Sequence, residues 1–197
     1  MAEAHVIPHP PTATGLNTFK LGFWVFLGSE CLFFGSFIAT YMTYKNESII
    51  GPYAHDILNI PLTSISTFVL LMSSLAMVLA LDGVQRGLRR YALTALMSVI
   101  VLGATFLGFQ AFEFTEFYHE GLKLQTNLFG STFFILTGFH GAHVTIGVIW
   151  LLALWLQLWK GNLPPAKALT VEIAGLYWHF VDIVWIVIFT AVYLIHG

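Results

Sequence analysis

The sequence predicts an all-α polytopic membrane protein, a bundle of five transmembrane helices. Three observations carry that prediction. Of 197 residues, 57% are hydrophobic and only 9% charged, whereas a soluble domain is about 45–50% apolar and about 25% charged. Five stretches are long enough to cross a hydrocarbon core of roughly 30 Å, which takes about 20 apolar residues in a helix. None of the five alternates apolar and polar positions, which excludes a transmembrane β-barrel. The same composition excludes intrinsic disorder, which needs low hydrophobicity. The net charge of −2, with no basic block, argues against a nucleic-acid partner. The single cysteine, Cys31, excludes a disulfide framework and any Cys-rich metal site.

The N-terminal segment, residues 1–18, is polar and Pro-rich. It lacks a positive region followed by an apolar core, so no cleavable signal peptide is expected. A transmembrane domain from 19 to 197 follows, with spans at about 19–44, 62–81, 91–117, 128–159 and 171–195. The linkers carry the punctuation: Gly51 and Pro52, then Gly83 and Gly87, then Gly121, then Gly161, Pro164 and Pro165. Pro61 precedes the second span, and Thr170 is placed as N-cap of the fifth, with Glu172 favouring its positive end. The 18 Phe, 6 Trp and 7 Tyr suit lipid-facing helices with aromatic ends. With five spans, Lys20, Arg86, Arg89, Arg90, Lys160 and Lys167 share one side, and only Lys45 and Lys123 lie on the other. The positive-inside bias then places the N-terminus in the cytoplasm and the C-terminus outside.

Ionisable groups within spans are costly and mark candidate sites. They are Glu30, Glu113, His140, His143, His179 and Asp182. Counting from basic or acidic span ends at 1.5 Å per residue, Glu30 is about 15 Å from Lys20, and Asp182 about 15 Å from Glu172. His179 lies one turn before Asp182, on the same face. No Lys or Arg lies in another span at the depth of Glu30, so its expected partner is a polar neighbour, with His179 and Asp182 as candidates. Counted from Lys160, His143 and His140 are about 25 and 30 Å in, and Glu113 is about 34 Å from Arg90. That arithmetic groups Glu113, His140 and His143 as a cluster in the outer half.

The simplest role for each of these groups is structural. His140 and His143 fit interhelical hydrogen bonding better than metal ligation, because a site needs more ligands than two His at i and i+3. His179 and Asp182 fit a polar pair fixing helix packing better than acid–base catalysis. Cys31 reads as a buried small hydrophobe. Glu116 and His119 have the spacing of a di-iron half-motif, but no second motif and no further Glu in register accompany them. No metal or haem site is expected in this chain. Thr137, Gly141 and Thr145, flanked by Gly138 and Ala142, form a small-residue stripe through which helices can approach closely. Gly138, Gly141 and Ala142 are the expected packing positions, and Gly28 and Gly35 serve the first span similarly. No internal repeat supports an independent transporter.

These residues fall into longer motifs. Residues 130–147, GSTFFILTGFHGAHVTIG, resemble the signature segment of subunit III of haem–copper terminal oxidases. Residues 177–185, YWHFVDIVW, resemble that family's last span, and Ser29-Glu30-Cys31-Leu32-Phe33-Phe34 resembles its membrane-embedded glutamate motif. Gln110-Ala111-Phe112-Glu113-Phe114 fits a further pattern. The resemblance runs from about residue 19 to the end and is closest to bacterial cytochrome c oxidase subunit III, in a five-span form.

The resemblance implies an accessory subunit of a proton-translocating oxidase that reduces dioxygen to water in aerobic respiration, sited in the bacterial inner membrane. Family members bind no haem or copper, which reside in subunits I and II. They pack chiefly against subunit I, beside subunit II and other respiratory-complex subunits, support proton uptake, and bind phospholipids. Glu30 matches the family's buried carboxylate, known for reaction with carbodiimides, and is expected to modulate the proton environment. Many members have seven spans. The matching segments here begin at the third, so the lipid-filled cleft that the first two spans help to form is in doubt. Quinol oxidases of the superfamily also have five-span third subunits, so they form the alternative. Glu30, rather than Asp at that position, points to the cytochrome c branch.

Overall fold

A computed structural model describes residues 17–45, 47–48, 51–52 and 58–195. The expected polar N-terminal segment therefore lies outside the described residues, apart from Asn17 and Thr18. Five long helices, apolar enough to cross a membrane, account for nearly all of the rest, and no strand occurs among the described residues. They are α1 (Thr18–Tyr44), α2 (Ile60–Gln85), α3 (Arg89–His119), α4 (Leu128–Trp159) and α5 (Ala168–Phe189). A 3₁₀ turn, Pro165–Lys167, leads into α5, and a single π turn, Thr190–Leu194, continues it.

The helix ends have local causes. The side-chain oxygens of Asn17, Asn59 and Asn127 accept from the amides of Phe19, Leu62 and Gly130, capping α1, α2 and α4. At the other end, α2, α3 and α4 each stop two residues before a left-handed glycine: Gly87 (φ 72°), Gly121 (φ 89°) and Gly161 (φ 79°). The residue after each glycine donates back five positions, Leu88 to Gly83, Leu122 to Phe117 and Asn162 to Gln157, which satisfies a last-turn carbonyl. The expected cap at Thr170 is not what starts the fifth span. Pro165 opens the turn, its fixed φ suiting a first helical position, so Thr170 already lies inside α5.

Helices α2, α3, α4 and α5 pack in a closed ring, each against the next, and α5 returns to α2. Helix α1 lies outside the ring, in the groove between α4 and α5. It buries Leu27, Phe34 and Tyr41, spaced by seven residues. Lys20, Phe23, Glu30 and Phe37 extend the same seam at a and d spacing. Lys20 forms an ion pair with Glu172 of α5 at one end, and Lys45 donates to the Ile195 carbonyl at the other, 3.1 Å away.

The ring closes around Trp178. Its six-membered ring sits between two glycines: a Cβ on Gly103 of α3 would lie 2.6 Å from it, and one on Gly147 of α4 2.8 Å. The indole N–H donates to Ser73 Oγ of α2 at 2.9 Å, so one side chain of α5 joins all three other ring helices. Large apolar side chains such as Trp24, Leu32, Phe112 and Ile149 point outward. Lipid tails are as apolar as the interior, so this arrangement costs nothing in a bilayer.

Candidate functional site

Glu30 reaches the bundle because it occupies a d position of the α1 seam. Its Oε2 lies 3.2 Å from His143 Nε2 on α4, with both side chains more than four-fifths buried. The other ring nitrogen, Nδ1, is 2.8 Å from the Phe139 carbonyl. A carbonyl only accepts, so Nδ1 carries a proton and the imidazole is oriented by its own helix. The Nε2···Oε2 contact then joins α1 to α4 through a carboxyl and an imidazole. The Tyr177 hydroxyl donates to the His143 carbonyl at 3.0 Å, tying α5 to the same point. Phe34 packs against the His143 ring at a centroid distance of 4.9 Å.

This pairing corrects the depth arithmetic. Helices α1 and α4 run antiparallel, with Phe23 against Trp150 and, seven residues further along each, Glu30 against His143. The level of Lys20 on α4 is therefore near residue 153, and Lys160 projects about 10 Å beyond it. Counting from Lys160 overstated the depth of His143 by that amount. His179 and Asp182 do sit at the level of Glu30, as the Lys20–Glu172 contact requires, but they face α2 instead.

A polar seam joins α2 to α5. Ser74 Oγ donates to Asp182 Oδ2 at 2.7 Å and lies 3.3 Å from His179 Nδ1. The Trp185 N–H donates to Thr67 Oγ1 at 2.9 Å. Further along, Glu113 Oε1 accepts from Thr63 at 2.7 Å and from Tyr193 at 3.0 Å, which links α3 to both helices. The π turn carries Tyr193 into this position.

The outer-half cluster of Glu113, His140 and His143 is not formed. Three residues along a helix rotate the direction by about 60°, so His143 faces α1 while His140 faces the ring interior. His140 is fully buried, stacks on Trp185 at 4.9 Å and meets Phe106 edge-on at 5.9 Å. Neither of its nitrogens has a hydrogen-bond partner among the described residues, nor has Asp182 Oδ1. The expected hydrogen bonding of His140 is thus replaced by aromatic packing. Among the described residues, no three of His, Cys, Asp and Glu converge as ligands for a metal ion.

The small-residue stripe divides. A Cβ on Gly141 would lie 2.5 Å from Gln110 Oε1, and Gln110 Nε2 donates to the Thr137 carbonyl at 2.8 Å, so this is where α3 approaches α4. Gly138 has open space beside it and Ala142 is exposed, so neither packs against another helix of this chain. The same holds for Gly28 and Gly35, and Cys31 is exposed, not buried. The packing glycines that the sequence reading missed are Gly103 and Gly147, which face Trp178 without belonging to any short-spaced stripe.

Comparison with known proteins agrees with these features. The model of the family "Cytochrome c oxidase subunit III" matches residues 6–196. Quinol oxidase subunit 3 of Bacillus subtilis is 41% identical over 174 residues, 88% of this chain and 85% of that protein. Cytochrome c oxidase subunit 3 of Bacillus sp. PS3 is 41% identical over 183 residues, 93% of this chain and 88% of that protein. Cytochrome bo(3) ubiquinol oxidase subunit 3 of Pseudomonas aeruginosa is 36% identical over 197 residues, 98% of this chain and 94% of that protein.

Proposed function

The chain belongs to the cytochrome c oxidase subunit III family, and on that premise we propose that it serves a cytochrome c oxidase, packed against subunit I beside subunit II, with Glu30 tuning the proton environment there. It is a non-catalytic, multi-pass subunit of a haem–copper oxygen reductase in the cell membrane. The haem and copper of such a complex are assigned to the partner subunits, and phospholipid to the surface of this one. The proposed arrangement is one five-helix membrane domain behind a polar N-terminal segment, with the N-terminus cytoplasmic.

The observation that carries this reading is the Glu30–His143 pair. It places a carboxyl against an imidazole within the membrane, where a peripheral helix meets the ring. Hydroxyl donors meet Glu113 and one oxygen of Asp182, and the rings of Phe34, Phe106 and Trp185 stand around His140. Glu113, His179 and Asp182 are read as parts of the framework that hold the ring together, with Gly141 as a packing position. Gly138 and Ala142, free on this chain, suit contact with a neighbouring subunit.

A quinol oxidase is the second reading, favoured by equal identity to relatives of both names. Purifying the complex through this chain tests both. Haem and copper co-purifying with the chain, and oxygen uptake driven by reduced cytochrome c, are the expected results. Uptake driven only by quinol would establish the second reading, and a chain that purifies without haem would refute the subunit assignment.

A further inference from the structure

A groove of about 530 Å³ opens on the outer face of the bundle, between the first turns of α3 and the last turns of α4. Leu93, Met97, Val101 and Leu102 form one wall and Trp155 the other. The Trp155 N–H donates to the Leu93 carbonyl at 3.1 Å, which fixes the indole in place. Thr94 and Ser98 also line the groove, but their hydroxyls donate to the Arg90 and Thr94 carbonyls, so the floor is apolar in effect.

The end of the groove is basic. Arg90, Thr94, Met97 and Val101 fall at i, i+4, i+7 and i+11, one stripe of α3, so Arg90 stands one turn beyond the apolar wall. Its neighbours are committed elsewhere: Arg86 pairs with Asp82 at 2.8 Å, and Arg89 binds the Leu158 and Trp159 carbonyls. Arg90 and Lys160, the latter beside Trp159 at the end of α4, are exposed and have no partner among the described residues. The nearby acids, Asp82 and Glu172, are already paired.

We propose that this groove binds one phospholipid with an anionic headgroup, its acyl chain between Met97 and Trp155 and its phosphate at Arg90. From Leu93 to Leu102 the groove runs about 14 Å along the axis, and its apolar walls lead to two cations without a partner among the described residues, as an acyl chain with an anionic headgroup requires. A larger groove of about 690 Å³ at the opposite end is less suited to an anion. Its Lys123 lies over the Tyr118 ring, 4.6 Å from the centroid, and Glu116 and Glu120 occupy the same end of α3. The proposal rests on the membrane reading alone and is independent of the electron donor. The site is also separate from any cleft that two additional N-terminal spans would form.

The test uses the purified oxidase complex, stripped of lipid in detergent and titrated with phosphatidylglycerol or phosphatidylcholine, with bound lipid counted by native mass spectrometry. Ser98→Phe fills the groove, and Arg90→Gln removes the headgroup contact. Both face outward, and haem content in the same preparation reports assembly. The expected result is one phosphatidylglycerol fewer on Ser98→Phe. Arg90→Gln should weaken phosphatidylglycerol about five-fold, the scale of one basic side chain at an anionic surface, with phosphatidylcholine unchanged. An unaltered lipid count on Ser98→Phe, or an undiminished preference for phosphatidylglycerol on Arg90→Gln, overturns the proposal. Loss of a protein subunit in place of the lipid overturns it too, since the groove would then hold a partner. A wild-type preparation without haem would refute the subunit reading instead, and the lipid count on the isolated chain would still decide the groove.

Discussion

Glu30→Gln asks whether the carboxyl at the centre of α1 must exchange a proton or only hold a hydrogen bond. The Phe139 carbonyl fixes the proton of His143 on Nδ1, which leaves Nε2, 3.2 Å from Glu30, able to accept. The carboxamide introduced by Glu30→Gln donates to it, so the α1–α4 bond persists. Interhelical hydrogen bonds in membranes average about 0.6 kcal/mol and reach about 1.7. A substitution that keeps the bond should therefore cost under about 1 kcal/mol. Glu30→Lys also supplies a donor but adds a charge that no carboxylate balances, since Asp182 at that level faces Ser74 of α2. A Lys at a helix centre costs about 2.5–3.5 kcal/mol on insertion scales. Helix α1 is held by a single narrow seam, so that penalty should appear as loss of the chain from the complex. The assay is the amount of chain co-purifying with haem, together with oxygen uptake and protons released per electron in vesicles. Glu30→Gln should assemble and retain most oxygen reduction, and Glu30→Lys should assemble poorly. Complete loss of oxygen reduction in a fully assembled Glu30→Gln complex would make the carboxyl an obligatory proton carrier and refute this reasoning.

Gly103→Leu or Gly147→Leu should push Trp178 out of its slot, costing at least the ~1–3 kcal/mol of an overpacked core and lengthening the bond to Ser73. A lowered thermal midpoint of the complex, larger for either than for Gly138→Leu, checks this. Gly141→Leu must displace the Gln110 carboxamide and should also loosen α3 from α4, whereas Gly138→Leu should leave the fold of this chain intact and act only through a neighbouring subunit. Glu113→Ala should leave the Tyr193 hydroxyl unpaired, while Thr63 retains the Asn59 carbonyl at 3.0 Å, at a cost of about 1–3 kcal/mol, and Glu113→Gln less. A double-mutant cycle with Tyr193→Phe that shows no coupling would contradict the hydrogen bond. Lys20→Ala removes an ion pair whose side chains are 27% and 31% exposed, so stability should fall by no more than about 1 kcal/mol.

The sequence by itself determined the number of spans, their order and their approximate extent. The solvent explains why: a bilayer demands about 20 apolar residues per crossing, and that demand is written along the chain whatever the packing. Residues 128–159 coincide with α4, whereas α2 outlasts its expected end at Leu81. Backbone pairing carries it through Asp82 to Gln85, and it stops only at the left-handed Gly87. The sequence also singled out the ionisable groups, because each is expensive in hydrocarbon. Their partners were decided by tertiary structure. In lipid every helix face is apolar, so hydrophobic pattern does not mark the buried side, and the seam of α1 from Lys20 to Tyr41 is hidden among equally apolar neighbours. Depth on one helix can be compared with depth on another only from a common origin. Helix α4 overshoots that origin by about two turns at Lys160, which moved His143 away from Glu30 on paper and left the two in contact in the fold. The direction of each side chain around its axis settled the rest. It sent His143 to α1, His140 into the aromatic interior and Asp182 to α2, a choice fixed by how five helices fill space together.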